Sequence, residues 1–157
     1  QNLGFSPLLY GVIAFIPRFF DAITDPIMGF ISDNTRSRYG KRRQYVFLGA
    51  IITGISFILM WQLYIENGIV FNFWYFLLCS LVFYLGITIF GIPFVAMGYE
   101  MSDDFHERTK IMAVSQFIGQ FAWIIAPWIW VIIYDPAIFA DPAAGTRELS
   151  ILSLIHI

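Results

Sequence analysis

Three charged residues stand inside a long apolar segment near the start of the chain. Arg18, Asp21 and Asp25 occur at positions i, i+3 and i+7 within residues 6–32. This segment is long enough to cross a bilayer as a helix, which needs roughly 20 residues. A charged side chain at membrane depth costs about 2.5–3.5 kcal/mol on insertion scales. We therefore expect these side chains to face protein or water instead of lipid.

The charges share one helical stripe with small residues. At about 100° per residue, the stripe occupies an arc of about 80°. Its members are Gly11, Ala14, Arg18, Asp21, Asp25, Gly29 and Ser32. Arg18 can neutralise one aspartate, in an internal salt bridge that has only a structural role. The second carboxylate must then be protonated, pair with another helix or hold a cation. The stripe predicts a site for H⁺ or a hard cation such as Na⁺, to which Thr24 can add an oxygen.

The composition is typical of an integral membrane protein. Of 157 residues, 59% are hydrophobic and 13% are charged, whereas soluble domains have about 25% charged residues. The one basic cluster, residues 36–43, is short and lies between apolar spans, so no nucleic-acid partner is expected. Cys79 is the only cysteine, which leaves no internal disulfide.

No enzyme activity is expected. The sequence has no HExxH, P-loop, GxSxG or CxxC motif. An intramembrane aspartyl protease is the enzyme alternative, because two acids lie in a span. Such a dyad ordinarily brings carboxylates together from two helices, whereas Asp21 and Asp25 share one helix.

Hydropathy predicts an all-α fold with four transmembrane helices. The spans are residues 6–32, 44–65, 71–99 and 111–134. The loop at 33–43 carries five Lys or Arg residues and is expected to be cytoplasmic. Residues 100–110 form a second cytoplasmic loop, and residues 135–148 form a loop on the opposite side. Residues 1–151 are therefore interpreted as one partial transmembrane bundle.

The two ends lead to a further expectation. The chain begins at Gln1 without an initiator Met or a signal peptide, as expected for an internal piece of a longer protein. Residues 152–157, Leu-Ser-Leu-Ile-His-Ile, resemble a translated sequencing adapter and are expected to be a non-native tail. The alternative is the start of another apolar helix.

Polar residues elsewhere suggest gating or substrate contact. Asp33 ends the first span, before the glycine turn at Gly40, and suggests a hydrogen-bonded cytoplasmic gate; a topology signal alone is the alternative. Gln116 and Gln120 lie one turn apart in the fourth span and share a face with Trp123. Amides beside an aromatic ring suit a sugar, but they suit hydrogen bonds between helices equally well.

The sequence resembles the glycoside–pentoside–hexuronide:cation symporters of the major facilitator superfamily. The resemblance rests on residues 18–29, RFFDAITDPIMG, and residues 35–41, TRSRYGK, with support from Ile92-Pro93-Phe94 and Glu107-Arg108. It implies a fold of twelve helices in two bundles. This chain would hold helices two to five of the six-helix N-terminal bundle, and the C-terminal bundle of the same chain would be missing.

The resemblance also implies a function. The family couples movement of sugars to Na⁺, Li⁺ or H⁺ by alternating access. The implied partners are a sugar, glycoside or uronide, a coupling cation and the lipid bilayer, in a bacterial inner membrane. No cofactor is implied beyond the coupling ion. A lipid or other non-sugar transporter or sensor on the same fold is the alternative.

The resemblance implies roles for the residues that would bind the coupling cation. Asp21 and Asp25 match the cation-binding carboxylates of the family, and Thr88 matches a threonine oxygen of that site. Thr24 stands in place of an asparagine and keeps an oxygen there. Arg18 is expected to set the local field and to move between the two carboxylates.

The sugar half departs from the family pattern. The sugar-binding aspartate of the family falls at Gly91 here, and an arginine of its fifth helix falls at Gln116. The resemblance therefore supports the coupling ion but does not identify the sugar.

Overall fold

A computed structural model describes residues 6–38, 40–135, 138–139 and 141–153. These residues form α-helices and one short 3-10 turn, with no strand among them. The helices are α1 (Pro7–Asn34), α2 (Arg43–Met60), α3 (Ile69–Tyr99), α4 (Phe105–Ile133) and α5 (Pro142–Ser153). The first four are long and apolar enough to cross a membrane. The predicted all-α membrane fold with four spans is confirmed.

The predicted start of the fourth span at residue 111 is too late. Helix α4 begins at Phe105, because Asp104 caps it: Oδ1 of Asp104 accepts hydrogen bonds from the backbone N–H of His106 (2.7 Å) and Glu107 (3.0 Å). A side-chain cap satisfies N–H groups that have no partner within the helix. The second half of the predicted loop 100–110 is therefore helical.

Two other predicted boundaries also differ. Helix α2 ends at Met60 instead of residue 65, because the N–H of Trp61 bonds back to the carbonyl of Ile58 at 3.2 Å and closes the last turn. The predicted loop 135–148 contains the start of α5, where Pro142 occupies the first turn and has no N–H that would need an acceptor. Of the predicted tail, Leu152 and Ser153 end α5, and residues 154–157 lie outside the described residues, as do residues 1–5.

The chain divides into two compact units. The first comprises Gln1–Phe94 with Ser150–Ile157, and the second comprises Val95–Leu149. Helices α1 and α2 and most of α3 belong to the first unit, and α4 belongs to the second. The predicted cation-binding residues all lie in the first unit.

Helices α2 and α3 pack antiparallel through two glycines. A Cβ added at Gly49 would lie 2.7 Å from the Cα of Phe90, and one added at Gly86 would lie 2.8 Å from the backbone N of Thr53. Along this contact, residue numbers therefore increase in α2 as they decrease in α3. Small residues allow helix backbones to approach closely in membranes, and here they fix α3 against α2.

Helices α1 and α3 run in the same direction. Arg18 contacts Tyr84, and an added Cβ at Gly29 would meet the side chain of Ile92 at 3.8 Å. Positions therefore rise together along both helices. This arrangement places the small-and-charged stripe of α1 against α3.

Candidate cation site

Thr88 of α3 lies between two carboxylates of α1. Its Oγ1 is 2.9 Å from Oδ1 of Asp21 and 3.0 Å from Oδ1 of Asp25. Thr88 is only 2% exposed, so the contacts are shielded from solvent. A hydroxyl has one proton, which it cannot donate to both carboxylates at once. A proton on a carboxyl group or a bound cation would make both contacts favourable at once.

Thr24 supplies a further oxygen to the same cluster. Its Oγ1 is 3.5 Å from Oγ1 of Thr88. The Thr24 hydroxyl also lies 3.2 Å from the backbone carbonyls of Phe20 and Asp21, where it can donate its proton. Its lone pairs then remain available to accept a hydrogen bond or to bind a cation.

The local sequence of α1 explains why these oxygens converge. Asp21, Thr24 and Asp25 are spaced i, i+3 and i+4, which places them on one helix face. Pro26 follows directly and has no N–H, so the carbonyl of Ala22 loses its usual helical donor. The sequence thus adds a weakened backbone segment to a face that is already rich in oxygen.

The spacing of the oxygens suits a hard cation. Oxygen ligands that bind a hard cation at about 2.3–2.6 Å lie about 3 Å from their neighbours in the coordination shell. The separations around Thr88 are 2.9, 3.0 and 3.5 Å. Among the described residues, no group of three or more His, Cys, Asp or Glu side chains can hold a metal. The candidate site instead combines two carboxylates with two hydroxyls.

Arg18 does not pair with the aspartates in this structure. Its guanidinium carbon lies 5.3 Å from the centre of the Tyr84 ring, a cation–π contact. In the part of the chain that the structure describes, Arg18 makes no ion pair. The internal salt bridge considered from sequence is therefore not formed.

Tyr84 is a site residue that sequence reasoning missed. It precedes Thr88 by four residues, and Arg18 precedes Asp21 by three, so each lies about one helical turn earlier. The sequence can pair Tyr84 with Arg18 only when α1 and α3 are known to run in the same direction.

Asp33 makes a different connection. Its Oδ1 pairs with Nη2 of Arg42, which is 8% exposed and precedes α2. Nearby, the hydroxyls of Thr35 and Tyr45 lie 2.7 Å apart. These contacts tie the end of α1 to the start of α2. The gating role of Asp33 stays a prediction.

The two glutamines lie on α4, in the second unit. Gln116 is exposed and lines an open cavity of about 670 Å³ together with Tyr99, Arg108 and Met112. Gln120 is exposed on the same helix. The contact of the two glutamines with a substrate stays a prediction.

Comparison with known proteins supports a transporter. Residues 1–147 match the family model for MFS/sugar transport proteins. The inner membrane symporter YicJ of Escherichia coli (strain K12) is 31% identical over 66% of this chain and 22% of its own length. Lactose permease of Lactobacillus helveticus is 26% identical over 79% of this chain and 20% of its own length.

A relative with a different named substrate is also similar. The sodium-dependent lysophosphatidylcholine symporter 1-A of Danio rerio is 30% identical over 76% of this chain and 22% of its own length. The chain spans about a fifth of the length of these three relatives. The relatives are transporters, and the chain is a multi-pass membrane protein with four candidate spans. The chain belongs to the MFS/sugar transport protein family, which confirms its resemblance to the glycoside–pentoside–hexuronide:cation symporters.

Proposed function

We propose that this chain is part of a symporter that couples uptake of a sugar, glycoside or uronide to a cation gradient. The observation that supports it best is the Thr88 hydroxyl held between Asp21 and Asp25. One added positive charge, which a coupling ion supplies, would balance the repulsion between the two carboxylates. The name of YicJ supports placement in a bacterial inner membrane.

In the proposed mechanism the cation binds among the oxygens of Asp21, Asp25, Thr24 and Thr88. It neutralises the acidic pair and holds α1 against α3 through ligands from both helices. A cation that stabilises the sugar-binding state must be bound more tightly when sugar is present, because coupling between two sites is reciprocal. Movement of the two bundles then exposes the loaded site to the other side.

Sodium is the proposed ion, with Li⁺ and H⁺ as the alternatives. Hard cations prefer oxygen ligands, and the relative from Danio rerio is named as sodium-dependent. A proton on either carboxyl group would satisfy the second Thr88 contact equally well. The coupling ion is therefore identified by measuring which ion gradient drives uptake.

A sugar is the proposed substrate because a relative is named lactose permease. Gln116 and Gln120 are proposed to contact it through their amides, and Asp33 is proposed to act at a cytoplasmic gate through Arg42. Lysophospholipid is the second candidate, since a relative at 30% identity is named for lysophosphatidylcholine.

The test is gradient-driven uptake by the full-length protein in proteoliposomes. Labelled sugars, glycosides, uronides and lysophosphatidylcholine are offered under Na⁺, Li⁺ or H⁺ gradients. Asp21→Asn and Asp25→Asn should each abolish uptake, whereas Asp103→Asn, the same change at an exposed loop residue, should leave it unchanged.

The outcomes are distinct. Sugar uptake that follows one gradient and requires both aspartates supports the proposal and names the ion. Uptake of lysophosphatidylcholine alone would show that the proposed substrate is wrong, but it would leave the proposed ion site in place. Cation-driven uptake that survives both aspartate substitutions would refute the site.

A further inference from the structure

We propose that Tyr84 is a positioning residue that holds Arg18 away from the acidic pair and so keeps both carboxylates available to the coupling cation. The inference rests on the proposed cation site and adds a residue to it. Tyr84 touches neither aspartate in the described contacts. It acts through Arg18.

The geometry supports a specific partnership. The guanidinium carbon of Arg18 lies 5.3 Å from the Tyr84 ring centre, within the distance of about 6 Å at which a cation is attracted to a ring face. Tyr84 and Thr88 are one turn apart on α3, so the helix that supplies the Thr88 oxygen also supplies the ring. On α3, Thr88 therefore contacts the acidic pair while Tyr84, one turn earlier, contacts Arg18.

Arg18 is an internal competitor for the cation site. It precedes Asp21 by three residues, a spacing at which side chains on a helix meet. A guanidinium paired with Asp21 would supply the positive charge that the two carboxylates and Thr88 require. A bound cation and that ion pair thus exclude each other.

The ion pair of Arg18 with Asp21 is weak enough for the Tyr84 ring to compete with it for the guanidinium. Helical pairs are weaker when the basic residue precedes the acidic one, as Arg18 precedes Asp21. The described structure contains the Tyr84 contact and no Arg18 ion pair. The ring therefore favours the state in which the carboxylates are free to bind the coupling ion.

Removing the ring should weaken apparent cation binding. The apparent affinity falls in proportion to the fraction of protein in the competent state. For Tyr84→Leu, we expect the cation concentration that gives half-maximal uptake to rise about two- to fivefold, the size of a cation–π contact at an exposed site such as Arg18. Tyr84→Phe keeps the ring and should stay near the parent value.

The experiment compares these substitutions in two backgrounds. Full-length protein in proteoliposomes carries Tyr84→Leu or Tyr84→Phe, each with Arg18 or with Arg18→Gln. The readout is half-maximal activation by whichever of Na⁺, Li⁺ or H⁺ drives uptake. Binding of that cation to purified protein is measured alongside, because it does not depend on transport rate.

The Arg18→Gln background separates positioning from packing. With no internal cation to release, Tyr84→Leu should have no further effect on half-maximal activation there. An equal rise in both backgrounds, or no rise with Arg18 present, would overturn the inference and leave the proposed cation site intact. A parent protein whose uptake follows no cation gradient would refute the proposed function, and the inference with it.

Discussion

The Oγ1 of Thr88 lies 3.0 Å from Oδ1 of Asp25, a residue 63 positions earlier in the chain. The same hydroxyl lies 2.9 Å from Oδ1 of Asp21. A single proton on Thr88 cannot satisfy both carboxylates. The site is thus shared between α1 and α3, and any ion bound there links the two helices.

Thr88→Val should raise the cation concentration needed for half-maximal uptake by about 10- to 100-fold, the value of a hydrogen bond or ligand to a charged group. Valine has nearly the same shape but no oxygen. Thr88→Ser keeps the oxygen and should stay within about threefold of the parent protein. The measurement is uptake by the full-length protein across a range of cation concentrations.

Equal effects of valine and serine at this position would contradict the prediction. They would show that the methyl group of Thr88, a residue that is only 2% exposed, matters as much as its hydroxyl. Thr24→Val and Thr24→Ser provide a second matched pair at the more distant oxygen, 3.5 Å from Thr88. A smaller difference is expected there.

Gly49→Ala should destabilise the protein by about 1–3 kcal/mol, as overpacking of a tight contact does. The added Cβ would lie 2.7 Å from the Cα of Phe90, an atom that cannot move aside without shifting α3. Gly29→Ala is the matched control, because its Cβ would meet only a side-chain carbon of Ile92 at 3.8 Å. Thermal unfolding of the full-length protein in detergent distinguishes them.

A melting temperature that falls equally for Gly49→Ala and Gly29→Ala would show that loss of helix flexibility, and not the close backbone contact, sets the effect. A fall for Gly29→Ala alone would show that added volume is tolerated less between α1 and α3 than between α2 and α3. Either result would refute the packing described for Gly49.

Asp33→Asn and Arg42→Gln should each lower stability, and their double substitution should cost less than the sum of the two. Coupling of about 1 kcal/mol is expected, because Arg42 is buried while the Asp33 side chain is 59% exposed and partly screened by water. Arg36→Gln, the same change at an exposed arginine of the loop, is the control. A double-substitution cycle of thermal stability measures the coupling.

Uptake rate measured on the same proteins tests the proposed gate. If Asp33 acts at a gate, Asp33→Asn should change the maximal rate of uptake more than the cation requirement. A strictly additive cycle would show that the ion pair contributes nothing to the connection between α1 and α2. An unchanged maximal rate would limit Asp33 to a structural role.

The sequence by itself determined the membrane class, the four spans and the acidic pair. These follow from composition and helical periodicity, which depend only on residues close together in the chain. Asp21, Thr24 and Asp25 share a face on any helix, so their convergence needs no knowledge of neighbouring helices. The boundary at Asp104 was also readable as a helix cap, although hydropathy alone placed the start six residues too late.

Only the tertiary structure decided what faces that stripe. The position of Thr88 between the carboxylates and of Tyr84 beside Arg18 depends on α1 and α3 running in the same direction. The relative position of α1 and α3 rests on contacts between them such as Gly29 with Ile92, and α3 is fixed in turn against α2 by Gly49 with Phe90. Contacts between distant segments depend on packing of whole helices, which local periodicity does not encode. The contact of Arg18 with the Tyr84 ring is the clearest case, since sequence spacing left a salt bridge with an aspartate open.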